Sequence, residues 1–242
     1  MDTEIDLSSL KTLSSLITDR LVEQIEQGLL KPGERLVQVE LARRFNVSRV
    51  AIRDALMELR RRGLSVNIPN KGDIVRPVSC KTVQELFEVR RITESYAVQT
   101  ACAQMDARGI ATLRKLIKEQ EANIRKRDIA KFIQKDWEFH RAIFKYCPND
   151  QLKEVIEFLW SRTRQARSVA QSDVEWGQQW ATASVARYKE LLAAFESKNC
   201  VLAAEITSRI IETASKELQE ELRRVGWDTE GCISSNLSSA GS

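Results

Sequence analysis

Two arginines four residues apart, Arg49 and Arg53, follow a serine, Ser48, that can open a helix. Side chains at i and i+4 share one helix face, and a guanidinium on such a face can fork onto O6 and N7 of a guanine in a major groove. A second pair at the same spacing joins Asp136 to His140, the single histidine of the chain. An acid and an imidazole so placed can exchange a proton or offer donors and acceptors to a small polar ligand. No positioned nucleophile, Gly-rich phosphate loop or paired-carboxylate motif accompanies them, so the residues argue against an enzyme. One histidine also excludes a multi-histidine metal site and restricts any Ser-His-Asp triad to His140. The five cysteines (Cys80, Cys102, Cys147, Cys200 and Cys232) are odd in number and include no C-x-x-C pair. Neither a disulfide framework nor a cysteine zinc site is supported, and a cytoplasmic location is expected.

Long helices must hold these groups. Gly and Pro together make up 13 of 242 residues, while charged residues reach 30%; a sandwich or barrel needs more turn residues than that. No apolar stretch is long enough to span a bilayer, and the acidic start MDTEIDLSSL is unlike a signal peptide. The fold class expected is mostly α. Charge is unevenly spread: residues 31–78 hold eleven Lys and Arg against five Asp and Glu, a local +6 where the whole chain carries +4. A basic excess on a short folded unit is the footprint of a phosphate-backbone partner.

The pattern in that stretch is ordered. Apolar residues at helical spacing run from Leu13 to Gln27 and again from Val37 to Phe45, separated by the turn Lys31-Pro32-Gly33-Glu34. Ser48 is placed to cap a helix carrying Ile52, Ala55, Leu56 and Leu59 that stops at Gly63. Leu64–Ile68 and Asp73–Val78 flank Pro69-Asn70-Lys71-Gly72 and predict a hairpin. This is the order of a winged helix-turn-helix, whose third helix enters a major groove while the hairpin tip, Asn70, Lys71 and Gly72, approaches the backbone or minor groove. Arg60-Arg61-Arg62 ends its helix where the macrodipole favours cations anyway, and is left out of the contact set.

PGERLVQVELARRFNVSRVAIRDALMELRRRGL followed by PNKGDIV resembles the N-terminal domain of the GntR superfamily of bacterial transcription regulators. The matching elements are the P-G-x-x-L turn, the L-A-x-x-F/L-x-V-S-R core, the V/I-R-[ED]-A-L helix and the P-N-[KR]-G wing. The resemblance implies DNA contacts at Ser48, Arg49 and Arg53 and on the wing at Asn70, Lys71 and Gly72, with Arg35 as a further candidate. Val39 stands where some members carry another DNA-contacting arginine.

Beyond Ser79 the sequence reads as six amphipathic helices, 81–103, 106–126, 129–146, 150–171, 178–197 and 200–223. Asp106, Asp128, Pro148-Asn149-Asp150, Gly177 and Lys198-Asn199 mark the breaks. The expected organisation is a winged helix-turn-helix over 10–78, an all-α effector-binding and dimerisation bundle over 79–225, and a disordered Gly/Ser-rich tail over 226–242. FEVRRITESYAVQTACA and DWEFHRAIF resemble segments of the FCD-like effector domain of the FadR-type subgroup, the first through R-x-x-x-E (Arg90 or Arg91 with Glu94), the second through D-x-x-x-H.

In that domain the D-x-x-x-H pair and two histidines of later helices bind a divalent metal such as zinc or nickel, facing a small carboxylate. Here Tyr188 and Ile210 take the places of those histidines. Two ligands fall short of a normal zinc site, so no metal or other cofactor is expected. The resemblance leaves Arg90, Asp136, His140 and Tyr188 to line a pocket for a small carboxylate-type effector, with Arg162 and Arg164 of LWSRTRQAR as possible additional cations. The expected molecule is a homodimeric repressor on a palindromic operator, without a membrane partner. The alternatives are a small-molecule or metal sensor with vestigial DNA binding and a helical-bundle metalloenzyme.

Overall fold

The computed structural model describes residues 12–170, 174–224 and 226. The chain divides into two compact units that meet in sequence at Val78–Ser79.

The first unit contains α1 (Leu13–Glu26), α2 (Gln38–Phe45), α3 (Arg49–Arg61), β1 (Ser65–Ile68) and β2 (Gly72–Val75). Leu21 and Ile25 of α1 pack with Ile52, Leu56 and Leu59 of α3 in one apolar core. Such burial is the main force holding so small a unit together. Between α2 and α3 the chain turns through Asn46, which adopts a left-handed φ of 53°. The Ser48 hydroxyl then accepts a hydrogen bond from Ala51 N at 3.2 Å and caps α3.

β1 and β2 pair antiparallel, Ser65 opposite Val75 and Ile68 opposite Gly72. Gly72, with φ +80°, supplies the positive φ that closes the hairpin, a conformation costly for other residues. β2 ends at Val75, short of the expected Val78, because Pro77 has no N–H to donate to a ladder. The segment after the Pro32-Gly33 turn does more than connect. Leu36 N donates to Asp73 O and Val75 N donates to Glu34 O, both at 2.8 Å, so it lies along the free edge of β2.

The second unit contains α4 (Cys80–Gln104), α5 (Ala107–Arg125), α6 (Ile129–Phe144), α7 (Asp150–Ala170), α8 (Val174–Glu196) and α9 (Cys200–Arg224). α4 packs along α9 and α7, and α5 along α6 and α8. The fold is therefore mostly α, a winged helix-turn-helix with a small hairpin followed by an all-helical bundle. Ser79 and Thr82 form a capping box that opens α4. Asp106 and Asp128 cap α5 and α6, accepting from Gly109 N at 2.8 Å and Lys131 N at 3.1 Å. One break does not occur where the sequence suggests it. Gly177 lies inside α8, which begins at Val174, because a side chain at 177 would meet Ile129: a Cβ there would lie 3.2 Å from Ile129 Cγ2. The expected disordered tail falls, apart from Gly226, outside the described residues.

Candidate DNA-binding surface and effector site

In the first unit, α3 buries Ile52, Ala55, Leu56 and Leu59 and leaves Ser48, Arg49 and Arg53 exposed at its N-terminal end. Arg49 shares a concavity of about 340 Å³ with Arg35, Gln38, Lys71 and Gly72, so helix and wing residues far apart in sequence border one depression. The wing tip is held there: Arg35 Nη2 donates to Lys71 O at 3.1 Å. Arg53 makes only a long contact to Asp54, 3.4 Å, and both side chains are about half exposed; such a pair adds little stability. Val39 is exposed.

The Arg60-Arg61-Arg62 run is engaged within the unit. Arg60 pairs with the buried Asp73 of the wing at 2.5 Å. Arg61 and Arg62 both pair with Glu58, and Arg62 also reaches Asp19 of α1 at 3.1 Å. The hydrogen bond from Arg61 is the main force holding the Glu58 carboxyl down at about 2. These bonds tie the third helix to the wing and to α1.

In the second unit four helices converge on a buried polar cluster. Asp136 and His140 come from α6, Tyr188 from α8, Arg90 and Glu94 from α4, and Trp160, Thr163 and Arg167 from α7. Asp136 is fully buried, and both its oxygens are engaged. Oδ1 accepts from the Tyr188 hydroxyl in a short hydrogen bond, and Oδ2 accepts from Arg167 Nη1 at 2.9 Å. Since the hydroxyl's one proton goes to Asp136, the Tyr188 oxygen accepts from His140 Nε2–H, 3.3 Å away. Burial lowers the His140 pKa, which favours the neutral ring, and the Nε2–H tautomer supplies the donor for this bond. Burial, reinforced by the Asp136 charge, raises the Tyr188 phenol well above its ordinary range and keeps it a donor.

The structure thus brings Asp136, His140 and Tyr188 together, and it resolves the R-x-x-x-E choice. Arg90 is buried and Arg91 exposed. Arg90 gives Nε and Nη2 to Glu94 at 2.6 and 3.3 Å and Nη1 to Thr163 at 3.3 Å. It reaches the other residues through Trp160, whose ring lies 4.3 Å from the Arg90 guanidinium and 4.6 Å from the His140 ring.

The arginine beside Asp136 is one the sequence reading missed. Arg164 lies over Trp137, whereas Arg167 is buried against Trp160 and Trp180, 5.6 and 4.7 Å from their centroids. The available signal was helical spacing, which places both Arg164 and Arg167 on the face of Trp160 and turns Arg162 away from it. Ile210 is buried in the apolar core. Among the described residues, no three His, Cys, Asp or Glu side chains are grouped to hold a metal ion. No helix there is long and apolar enough to cross a membrane.

Comparison with known proteins matches residues 13–75 to bacterial regulatory proteins of the gntR family and residues 85–213 to the FCD domain. The chain is 33% identical over 137 residues to the Nta operon transcriptional regulator of Aminobacter aminovorans, a match covering 57% of this chain and 65% of that protein. It therefore spans just under two thirds of that relative's length. It is 25% identical over 159 residues to the HTH-type transcriptional repressor RspR of Escherichia coli (strain K12), covering 66% and 70%. The structure of E. coli McbR/YncC has the same fold, with a TM-score of 0.77 at 24% identity over 88% of this chain and 99% of that one. These relatives are regulators, not enzymes. Because the FCD match covers more than half of the chain and follows a matched helix-turn-helix unit, the chain belongs to the gntR family of bacterial regulatory proteins, with an FCD domain as its second unit.

Proposed function

We propose that the chain is a DNA-binding transcription repressor whose operator affinity is set by a small organic acid bound in the helical unit. The observation that carries the DNA-binding half is the shared concavity of Arg35, Arg49, Lys71 and Gly72 beside the exposed first turn of α3. Ser48, Arg49 and Arg53 read base edges in the major groove. Asn70, Lys71 and Gly72 follow the adjacent backbone or minor groove, and Arg35 joins the contact while steadying the wing. Repression is the sign suggested by the similarity to the transcriptional repressor RspR.

The effector half rests on the cluster around Asp136. Trp160 Nε1 is buried without a hydrogen-bond partner, and an orphaned buried donor is costly unless something accepts from it. Asp136 engages only Nη1 of Arg167. A small carboxylate offers acceptors to both Trp160 and Arg167, with Arg90, His140 and Tyr188 completing the wall. A homodimer reads a palindromic operator, one recognition helix per half-site. The exposed apolar residues Val89, Ile92 and Tyr96 on α4 and Val155 and Phe158 on α7 supply a face for the second copy.

The test is selection of a binding site from a random DNA pool, followed by fluorescence anisotropy with and without a panel of small carboxylates in chelator. Wild-type protein should bind one selected sequence, release it with one acid, and lose selectivity as Arg49→Ala/Arg53→Ala. Equal binding to all sequences would overturn the reading.

A further inference from the structure

Asp136 and His140 occupy positions that hold a divalent metal in the resembled effector domain, but the residues around them do not fit such an ion. Ile210 has no donor atom. The Tyr188 hydroxyl is already turned toward Asp136, donating a hydrogen bond to Oδ1. The other carboxylate oxygen already accepts from a cation, Arg167 Nη1, at 2.9 Å. That cation is built in rather than incidental: Arg167 is 8% exposed and packs against the faces of Trp160 and Trp180. A guanidinium in that place is a permanent positive charge, and a divalent ion on the same carboxylate would meet both its repulsion and a shortage of ligands.

We infer that Arg167 takes the place of the metal in this site, as the resident counter-ion of Asp136 that closes the cluster to divalent cations. Only the functional consequence rests on the effector reading above: an acid bound there would meet the guanidinium and the Trp160 N–H directly, with no metal between. The charge arrangement itself stands on the Asp136, Tyr188 and Arg167 contacts and can be scored without any effector. Failure to find an acid that releases DNA would therefore count against the effector proposal and leave this inference to its own test.

That test uses zinc and cobalt(II) on the full chain. Cobalt(II) is included because its thiolate charge-transfer band separates binding at this site from binding at the cysteines. Dialysed wild-type protein should retain no stoichiometric zinc, and neither metal nor chelator should shift its melting temperature. Arg167→Met/Tyr188→His removes the cation and adds a third ligand; it should take up about one zinc per chain, the ligand count of an open zinc site. Tyr188→His alone, with Arg167 kept, should not. One zinc per wild-type chain, abolished by Asp136→Ala, would overturn the inference. So would zinc binding by Tyr188→His as tight as that of the double variant, or a folded double variant that binds no more zinc than wild type. If the double variant does not fold, about one zinc per chain on Tyr188→His would overturn the inference, and its absence from both Tyr188→His and the wild-type protein would uphold it.

Discussion

Replacing Tyr188 by phenylalanine tests the buried cluster with least disturbance to packing. The ring stacks on Phe139, centroids 4.7 Å apart and planes 24° apart, and phenylalanine can keep that contact. Only the hydroxyl is lost, and with it two interactions. The Asp136 carboxylate loses the hydrogen bond that Oδ1 accepts from the hydroxyl, and the His140 Nε2–H loses its acceptor. A hydrogen bond to a charged group contributes about 1.5–3 kcal/mol, and an abandoned buried donor costs about 1–3 kcal/mol. The ring of His140 can recover part of this by turning toward Asp136 Oδ1, 4.0 Å from Nε2, so the expected loss is about 2–4 kcal/mol.

The assay is urea unfolding followed by tryptophan emission. Residues 12–78 contain no tryptophan, whereas Trp137, Trp160, Trp176 and Trp180 all belong to the helical unit, so the signal follows the unit that carries the change. The midpoint should fall with the slope unchanged. At about 2–4 °C per kcal/mol for a domain of this size, the melting temperature should drop by roughly 5–15 °C. In a double-mutant cycle with Asp136→Asn the two changes should couple by about 1–3 kcal/mol. A loss under about 0.5 kcal/mol, within the range of ordinary surface substitutions, would refute the reasoning, since the hydroxyl could not then be the buried bridge between Asp136 and His140.

In the DNA-binding unit, Lys71→Ala should weaken binding to all sequences alike and reduce the slope of log affinity against log salt by about 1, measured by anisotropy over a salt series; a change confined to one sequence would count against a backbone contact. Ser48→Ala removes the cap on Ala51 N and should cost about 1 kcal/mol, read by circular dichroism because this unit lacks tryptophan. Ser48→Asp should restore the cap but oppose DNA, so stability and affinity should part company. Glu58 is held at about 2, against an ordinary value of 4.5, chiefly by its hydrogen bond from Arg61. A carboxylate depressed in the folded state stabilises it above the unfolded pKa, so this contribution should be whole above about pH 4.5 and fade as pH falls toward 2. Melts of Glu58→Gln should lack that part of the acid dependence, and an unchanged acid profile would show that the pair contributes nothing.

Helix starts were legible because their signal is local. Ser48, Asp106 and Asp128 each accept a hydrogen bond from a backbone N–H three residues on, and Asn149 and Asn199 do the same for Leu152 and Leu202. A short polar side chain before an apolar repeat carries that information by itself. Gly177 shows where local reasoning stops. A glycine inside a helix costs only about 1 kcal/mol relative to alanine, so packing can outweigh it, and the presence of Ile129 opposite position 177 is a tertiary fact with no mark in the neighbouring sequence. The strand-like pairing of Glu34 and Leu36 with β2 was hidden for the same reason, since a turn motif does not say what runs beside it.

The effector cluster divides along the same line. Asp136 with His140 and Arg90 with Glu94 are i, i+4 pairs, and spacing alone places each pair on one face. Which arginine of α7 answers Asp136 is a harder question. At about 100° per residue, Arg162 points well away from Trp160, but Arg164 and Arg167 both fall within about 40° of it, one to each side. Periodicity therefore rejects Arg162 and cannot choose between the other two. The choice is made by the neighbours: Trp137 of α6 lies under Arg164, while Trp180 of α8 packs against Arg167 and leaves its Nη1 on Asp136. Two indoles on two other helices thus decide which guanidinium becomes the cation of the site. Replacing either aromatic residue should disturb the charge arrangement without touching a charged group.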